Sequence, residues 1–214
     1  MGAGSKEKGT VIIVDDDSAV RDSLSLLLRT AGYATATCPS GEELLERSPP
    51  EGPACLLLDL QLPGADGIEI QQRLRNSHWE MPVLFLTGHG DVSAAVSALK
   101  GGAMDFVEKS DFDARKLVER VAEAIDVHAH QMTRQSEWRR LDQKICDLSP
   151  RELEVARLAS VGQTNKVIGL TLEISERTVE VHRGRAMRKL GLRTAAELAR
   201  LQDRLNGGDE LWSD

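Results

Sequence analysis

Five carboxylates, a hydroxyl and an ammonium recur in this chain at one kind of position, at the end of a short apolar run. Asp15-Asp16-Asp17 follow VIIV, Asp59 follows CLLL, Thr87 follows VLFL, and Phe106-Val107-Glu108-Lys109 closes with the cation. If these runs are parallel strands, every one of these groups lies at the carboxyl edge of a sheet, where open α/β folds bind ligands. A single acid after a strand is usually a helix cap, and a single lysine is usually solvated. All of them on one edge need a compensating cation, because crowded like charges cost stability. Oxygen donors without a His or Cys cluster select a hard divalent ion, Mg²⁺ (or Mn²⁺), over Zn²⁺.

The elements that must position these groups are legible in the periodicity. Strands are expected at Val11–Val14, Tyr33–Thr37, Cys55–Leu58, Val83–Leu86 and Met104–Val107, alternating with helical patterns such as Ala19–Thr30, where Val20, Leu24, Leu27 and Leu28 share a side. Pro49-Pro50, Gly52-Pro53, Pro63-Gly64 and Gly101-Gly102 mark turns. Alternation of this kind predicts a doubly wound, five-stranded parallel sheet. From Phe112 to about Lys144 the pattern is continuously helical, and after Ser149-Pro150 it is all helical with short segments. The expected organisation is a flexible N-terminus at 1–9, an α/β domain at 10–126, a helical linker at 127–147, a small all-α domain at 148–205 and a flexible tail at 206–214.

Composition divides the chain at the same place. The 214 residues carry a net charge of −7. Residues 1–126 hold 12 Lys/Arg against 21 Asp/Glu, a balance of −9, whereas residues 148–205 hold 11 against 7, a balance of +4. An acidic front and a basic back suggest two jobs. No segment approaches the roughly 20 apolar residues of a membrane span, and MGAGSKEKGT lacks the apolar core of a signal peptide, which implies a soluble, cytoplasmic protein. Cys38, Cys55 and Cys146 have no metal-ligand spacing and read as buried or reduced thiols.

The segments VIIVDDD, LLLDLQLPGADG, FLTGHGD and KGGAMDFVEK resemble the signature segments of bacterial response-regulator receivers, and their spacing matches across residues 10–126. The resemblance implies a flavodoxin-like receiver with Asp59 as phosphoacceptor. It makes Asp15 and Asp16 the acidic pair, with Asp16 the more direct Mg²⁺ ligand, and adds Asp59 and the main-chain carbonyl of Gln61 to the metal site. It makes Thr87 the switch hydroxyl, Phe106 the switch aromatic and Lys109 the cation on the phosphoryl group. Phosphate would come from the phosphohistidine of a sensor histidine kinase. The receiver would catalyse only its own phosphorylation and dephosphorylation, so the protein is not expected to be an enzyme. The family usually has proline after the lysine, often cis, whereas Ser110 stands here; a cis non-proline bond costs about 2.5–4 kcal/mol, so Lys109-Ser110 is expected to be trans.

In the C-terminal part, Ser149-Pro150 with Glu152 starts a helix whose Leu153, Val155, Ala156 and Leu158 form an apolar face. Gly162-Gln163-Thr164 turns into Asn165–Leu172, and Ser175 caps a basic helix, Glu176–Leu190. Short helices about a tight turn read as helix-turn-helix, with a small charged bundle as the alternative on pattern alone. Residues 148–201 resemble the LuxR-type DNA-binding domain, in FixJ-like order behind the receiver. Helical spacing sends Val179, Ala186 and Leu190 inward and leaves Arg177, Val181, Arg185 and Arg188 as an outer stripe for the major groove. Glu180, Val181 and Arg185 are expected near base edges, and Lys166, Arg177, Thr178 and Lys189 at phosphates. His182 is expected in a structural hydrogen bond, and Glu173 replaces the family's usual glycine.

The resemblance further implies homodimerisation on phosphorylation through Asp91–Lys100, Met104–Val107 and Asp111–Ile125, with a final helix Ala195–Leu205 pairing on DNA half-sites, and RNA polymerase as a further partner. Two other readings stay open: a degenerate receiver on a phosphorylation-independent transcription factor, and an output that binds protein or RNA instead of duplex DNA.

Overall fold

In a computed structural model, residues 8–64, 66–77, 79–88, 101–109 and 112–207 are described. The chain divides into two compact units between Thr133 and Arg134. In the first, strands β1 (Thr10–Val14), β2 (Ala34–Cys38), β3 (Ala54–Asp59), β4 (Val83–Thr87) and β5 (Asp105–Glu108) form a parallel sheet in the order β2-β1-β3-β4-β5. Each strand falls within one residue of its expected limits. Alternation along the strands feeds two cores. Ile12, Val14, Leu56, Leu58 and Phe85 pack with Leu44 of helix α2 (Gly41–Leu45) and with Ile70 and Leu74 of helix α3 (Gly67–Asn76). Val11, Ile13, Leu57, Leu84 and Leu86 pack on the other face with Leu24 and Leu28 of α1 (Ser18–Thr30). Leu117, Val121, Ala124 and Ile125 of a long helix, Ala114–Cys146, complete that second face. This is the doubly wound architecture expected.

The long helix is tied to the sheet by a buried polar contact. His128 Nδ1 accepts a hydrogen bond from the backbone N–H of Ala54 at 2.8 Å, where β3 begins. Burial holds the imidazole below its usual pKa, and a ring nitrogen that accepts an N–H carries no proton. Cys55, next to Ala54 in sequence, is buried, and burial pushes its thiol up to about 12; Cys38 is also buried, whereas Cys146 is exposed.

The second unit is helical. Pro150–Ser160 starts on a capping box in which the Ser149 hydroxyl accepts from Glu152 N–H and the Glu152 carboxylate accepts from Ser149 N–H. Asn165–Leu172 is capped by Thr164 and Glu176–Leu190 by Ser175, and the latter ends on Gly191 in the left-handed region. The final helix expected as Ala195–Leu205 is two helices, Ala195–Ala199 and Gln202–Gly207. At the break Leu201 N–H bonds three residues back to Leu198 O, a tightened turn that keeps Leu198, Leu201 and Leu205 in the core. Asn206 and Gly207, expected in the tail, belong to the last helix.

Candidate functional site

Register builds the first site. Val14 of β1 pairs with Leu58 of β3, so one residue further along each strand places Asp15 beside Asp59. Both are buried, at 0% and 4% exposure. Lys109, just past β5, reaches between them: its ammonium lies 2.6 Å from Asp15 Oδ2 and 2.7 Å from Asp59 Oδ2. The other Asp59 oxygen, Oδ1, accepts from Gln61 N–H at 3.2 Å. Burial raises the Asp59 pKa, with the Asp15 charge adding to it, and the hydrogen bonds from Lys109 and Gln61 work the other way. For Lys109 burial works downward, but the contacts with Asp15 and Asp59 outweigh it and raise the pKa, so the ammonium is held charged.

The acidic loop is fixed from behind. Asp17 caps α1 by accepting from Ala19 N–H, and Asp17 N–H donates to Asp15 Oδ1. The Arg21 guanidinium donates to the carbonyls of Asp15 and Asp16 at 2.6 and 3.0 Å. Gly67 is required by close approach, since a Cβ there would lie 2.5 Å from the carbonyl oxygen of Asp59.

These residues fit a hard cation. Asp15, Asp16 and Asp59 each offer a carboxylate oxygen, and the three lie within 4.8 Å of one another. Asp15 Oδ2 is shut off from solvent and, apart from the Lys109 charge, meets no well-aligned hydrogen bond, so it is a buried acceptor with capacity to spare. An all-oxygen set of this kind suits Mg²⁺ or Mn²⁺. Beside it, Asp16, Gln61, Leu62, Pro63, Asp66 and Thr87 line a cleft of about 510 Å³. Thr87 ends β4 at 6% exposure, and its carbonyl accepts from Lys109 N–H at 2.7 Å. Phe106 is half-buried in β5 against the α3-side core, and Arg120 holds both its carbonyl and the Asp105 carboxylate. Ser110, Asp111 and the segment Asp91–Lys100 lie outside the described residues.

In the second unit the stripe Arg177, Val181, Arg185 and Arg188 is exposed, as are Glu180 and Lys166, while Val179, Ala186 and Leu190 are buried. Thr178 is half-buried, with its hydroxyl 2.7 Å from that of Ser175. Lys189 departs from the phosphate role expected of it. Its ammonium is engaged by Glu152 at 2.6 Å and by the Asp147 carbonyl at 3.0 Å, because the buried capping carboxylate of Glu152 needs a countercharge. Arg183 is likewise turned inward, to Asn165 Oδ1 at 3.0 Å. His182, for which a structural hydrogen bond is expected, has its Nδ1 buried without a partner among the described residues. Glu173 takes up the left-handed conformation, φ 56°, that glycine favours. The turn is nonetheless tight, for a Cβ on Gly169 would come within 2.8 Å of the Ile174 carbonyl.

Comparison with known proteins agrees with both halves. Residues 11–122 match the response regulator receiver domain, and residues 147–202 match the bacterial regulatory proteins of the luxR family. The chain is 36% identical to the transcriptional regulatory protein FixJ of Bradyrhizobium diazoefficiens, over 91% of this chain and 94% of that protein. It is 41% identical to the C4-dicarboxylate transport transcriptional regulatory protein DctR of Rhodobacter capsulatus, over 90% of this chain and 98% of the relative. Among solved structures, the response regulator StyR superposes with a TM-score of 0.79 at 37% identity, over 92% of this chain and 98% of the other. A receiver sheet with its acidic edge, followed by a LuxR-type helix-turn-helix, makes this chain a member of the two-component transcriptional response regulators.

Proposed function

We propose that Asp59 is the phosphoacceptor and that its phosphorylation drives dimerisation and sequence-specific binding of the C-terminal domain to paired half-sites in duplex DNA. The observation that carries this reading is the buried Asp59 carboxylate held against Lys109 beside Asp15 and Asp16. An Asp59 oxygen attacks the phosphorus of a phosphohistidine on a sensor kinase, the P–N bond breaks, and the imidazole leaves with the electron pair and takes up a proton. Lys109 shifts its hydrogen bonds to the incoming phosphoryl oxygens, while Gln61 N–H keeps the carboxylate oriented. Asp15, Asp16, Asp59 and the Gln61 carbonyl would hold Mg²⁺ (or Mn²⁺), which when bound supplies charge neutralisation for the transferred group.

The new oxygens then draw the Thr87 hydroxyl, and Phe106 turns into the space beside it, changing the surface at β5. The working domains are 10–126 and 148–205, joined by 127–147. The protein turns over no external substrate. On DNA, Glu180, Val181 and Arg185 approach base edges, Lys166, Arg177 and Thr178 hold phosphates, and Arg188 extends the basic stripe. The site of action is the cytoplasm, with RNA polymerase as the further partner.

Incubation with acetyl phosphate and Mg²⁺, followed by intact-mass measurement and a gel shift on promoter DNA, tests the reading. Wild-type protein gains one phosphoryl group, doubles its mass in solution and binds DNA more tightly. Modification of Asp59 without a change in mass in solution or in affinity would overturn it.

A further inference from the structure

We infer that the last turns of the long helix, Trp138 to Cys146, are a positioning device for the DNA-binding surface and not a passive tether. Three attachments carry this. The Lys144 ammonium donates to the carbonyl of Leu190 at 3.2 Å, the last residue of the recognition helix. That carbonyl has no partner within its own helix, and a cation there complements the negative end of the helix dipole. The Arg204 guanidinium of the final helix is gripped by both oxygens of Asp142, at 2.8 and 2.9 Å, and stacks on the Trp138 ring at 4.0 Å. Leu141 and Ile145, on the same face, pack into the core with Ala186, Leu190, Leu198 and Leu205. The contacts from Lys144 and Asp142 join residues 46 and 62 positions apart, so neither is a local cap.

The helix that carries these groups also carries Leu117, Val121, Ala124 and Ile125, which pack in the first unit. Rotation or fraying of the helix is therefore felt at the C-terminus of the recognition helix and at the final helix together. Lys144, Asp142 and Trp138 act as positioning residues for DNA recognition. The inference rests on phosphorylation-controlled DNA binding as proposed above.

The test uses full-length protein with and without acetyl phosphate and Mg²⁺, on DNA bearing one or two half-sites. Lys144→Met and Arg204→Gln reduce the gain in affinity on phosphorylation by about fivefold or more. Affinity of the unphosphorylated protein for a single half-site stays near wild type, and Lys144→Arg restores the gain. If Arg204→Gln fails to fold, Arg204→Lys, which keeps the charge but not the planar fork, takes its place. An unchanged gain, or equal losses in both states, overturns the inference. A wild type with no gain at all removes the functional reading itself and this one with it.

Discussion

Lys109 is shared by two buried carboxylates, and its removal exposes what each contributes. Asp59→Asn abolishes phosphoryl incorporation from acetyl phosphate, as read by intact mass. Lys109→Met leaves Asp59 in place but removes the donor to the transferred oxygens, and slows incorporation by about 10²-fold or more in a time course. In the second unit, Glu173 occupies a left-handed conformation that costs a residue with a Cβ about 1 kcal/mol. Glu173→Gly relieves that strain, and its net effect after the added freedom of the unfolded chain is a gain of up to about 1 kcal/mol in a urea titration. The sequence pattern exposed Glu173 as a departure from a glycine position, but only the backbone angle shows that the turn keeps its shape and holds the glutamate in it.

Among elements, the link between the long helix and β3 is sensitive to acid. The folded-state pKa of His128 lies below the ordinary 6.5, so the neutral form is favoured by folding. Its stabilising contribution is present above that value and is lost as pH falls from there through the folded pKa. Thermal midpoints measured between pH 7 and pH 5 fall more steeply for wild type than for His128→Asn, whose amide oxygen can accept from Ala54 N–H without titrating. Matching slopes would show that His128 has no part in acid lability. The strands and their edge residues were readable because apolar runs and the groups that follow them are local patterns. His128 with Ala54, Lys189 with Glu152, Arg183 with Asn165 and Arg21 with two loop carbonyls were not. Each depends on how separate segments meet, and a charged side chain that neutralises a buried partner reads in sequence like one that faces solvent. Lys189 shows the consequence: in the chain it belongs to the basic run of the recognition helix, and in the fold it holds the capping box that starts Pro150–Ser160. The division of the final helix at Leu201 was hidden for a related reason, since Leu198, Leu201 and Leu205 share a face with or without the tightened turn.

At the scale of the whole molecule, the acidic and basic halves have separate cores and separable chemistry. A fragment 134–214 is expected to bind the same DNA with strong salt dependence and no response to acetyl phosphate; each phosphate contact contributes a slope of about −0.9 in a plot of log affinity against log salt. Loss of one such contact through Arg177→Ala lowers that slope by about one unit. The sheet of the other half has a further consequence. Asp15 and Asp59 stand next to each other because β1 and β3 are hydrogen-bonded neighbours in register, and the spacing of adjacent strands, about 4.8 Å, is a property of the backbone. The separation of the two acids is thus inherited from the main chain and not from the loops around them. Loops at this edge can therefore diverge in length and composition, and so change which donor is admitted and how long the phosphate survives, while the distance between the paired carboxylates stays the same.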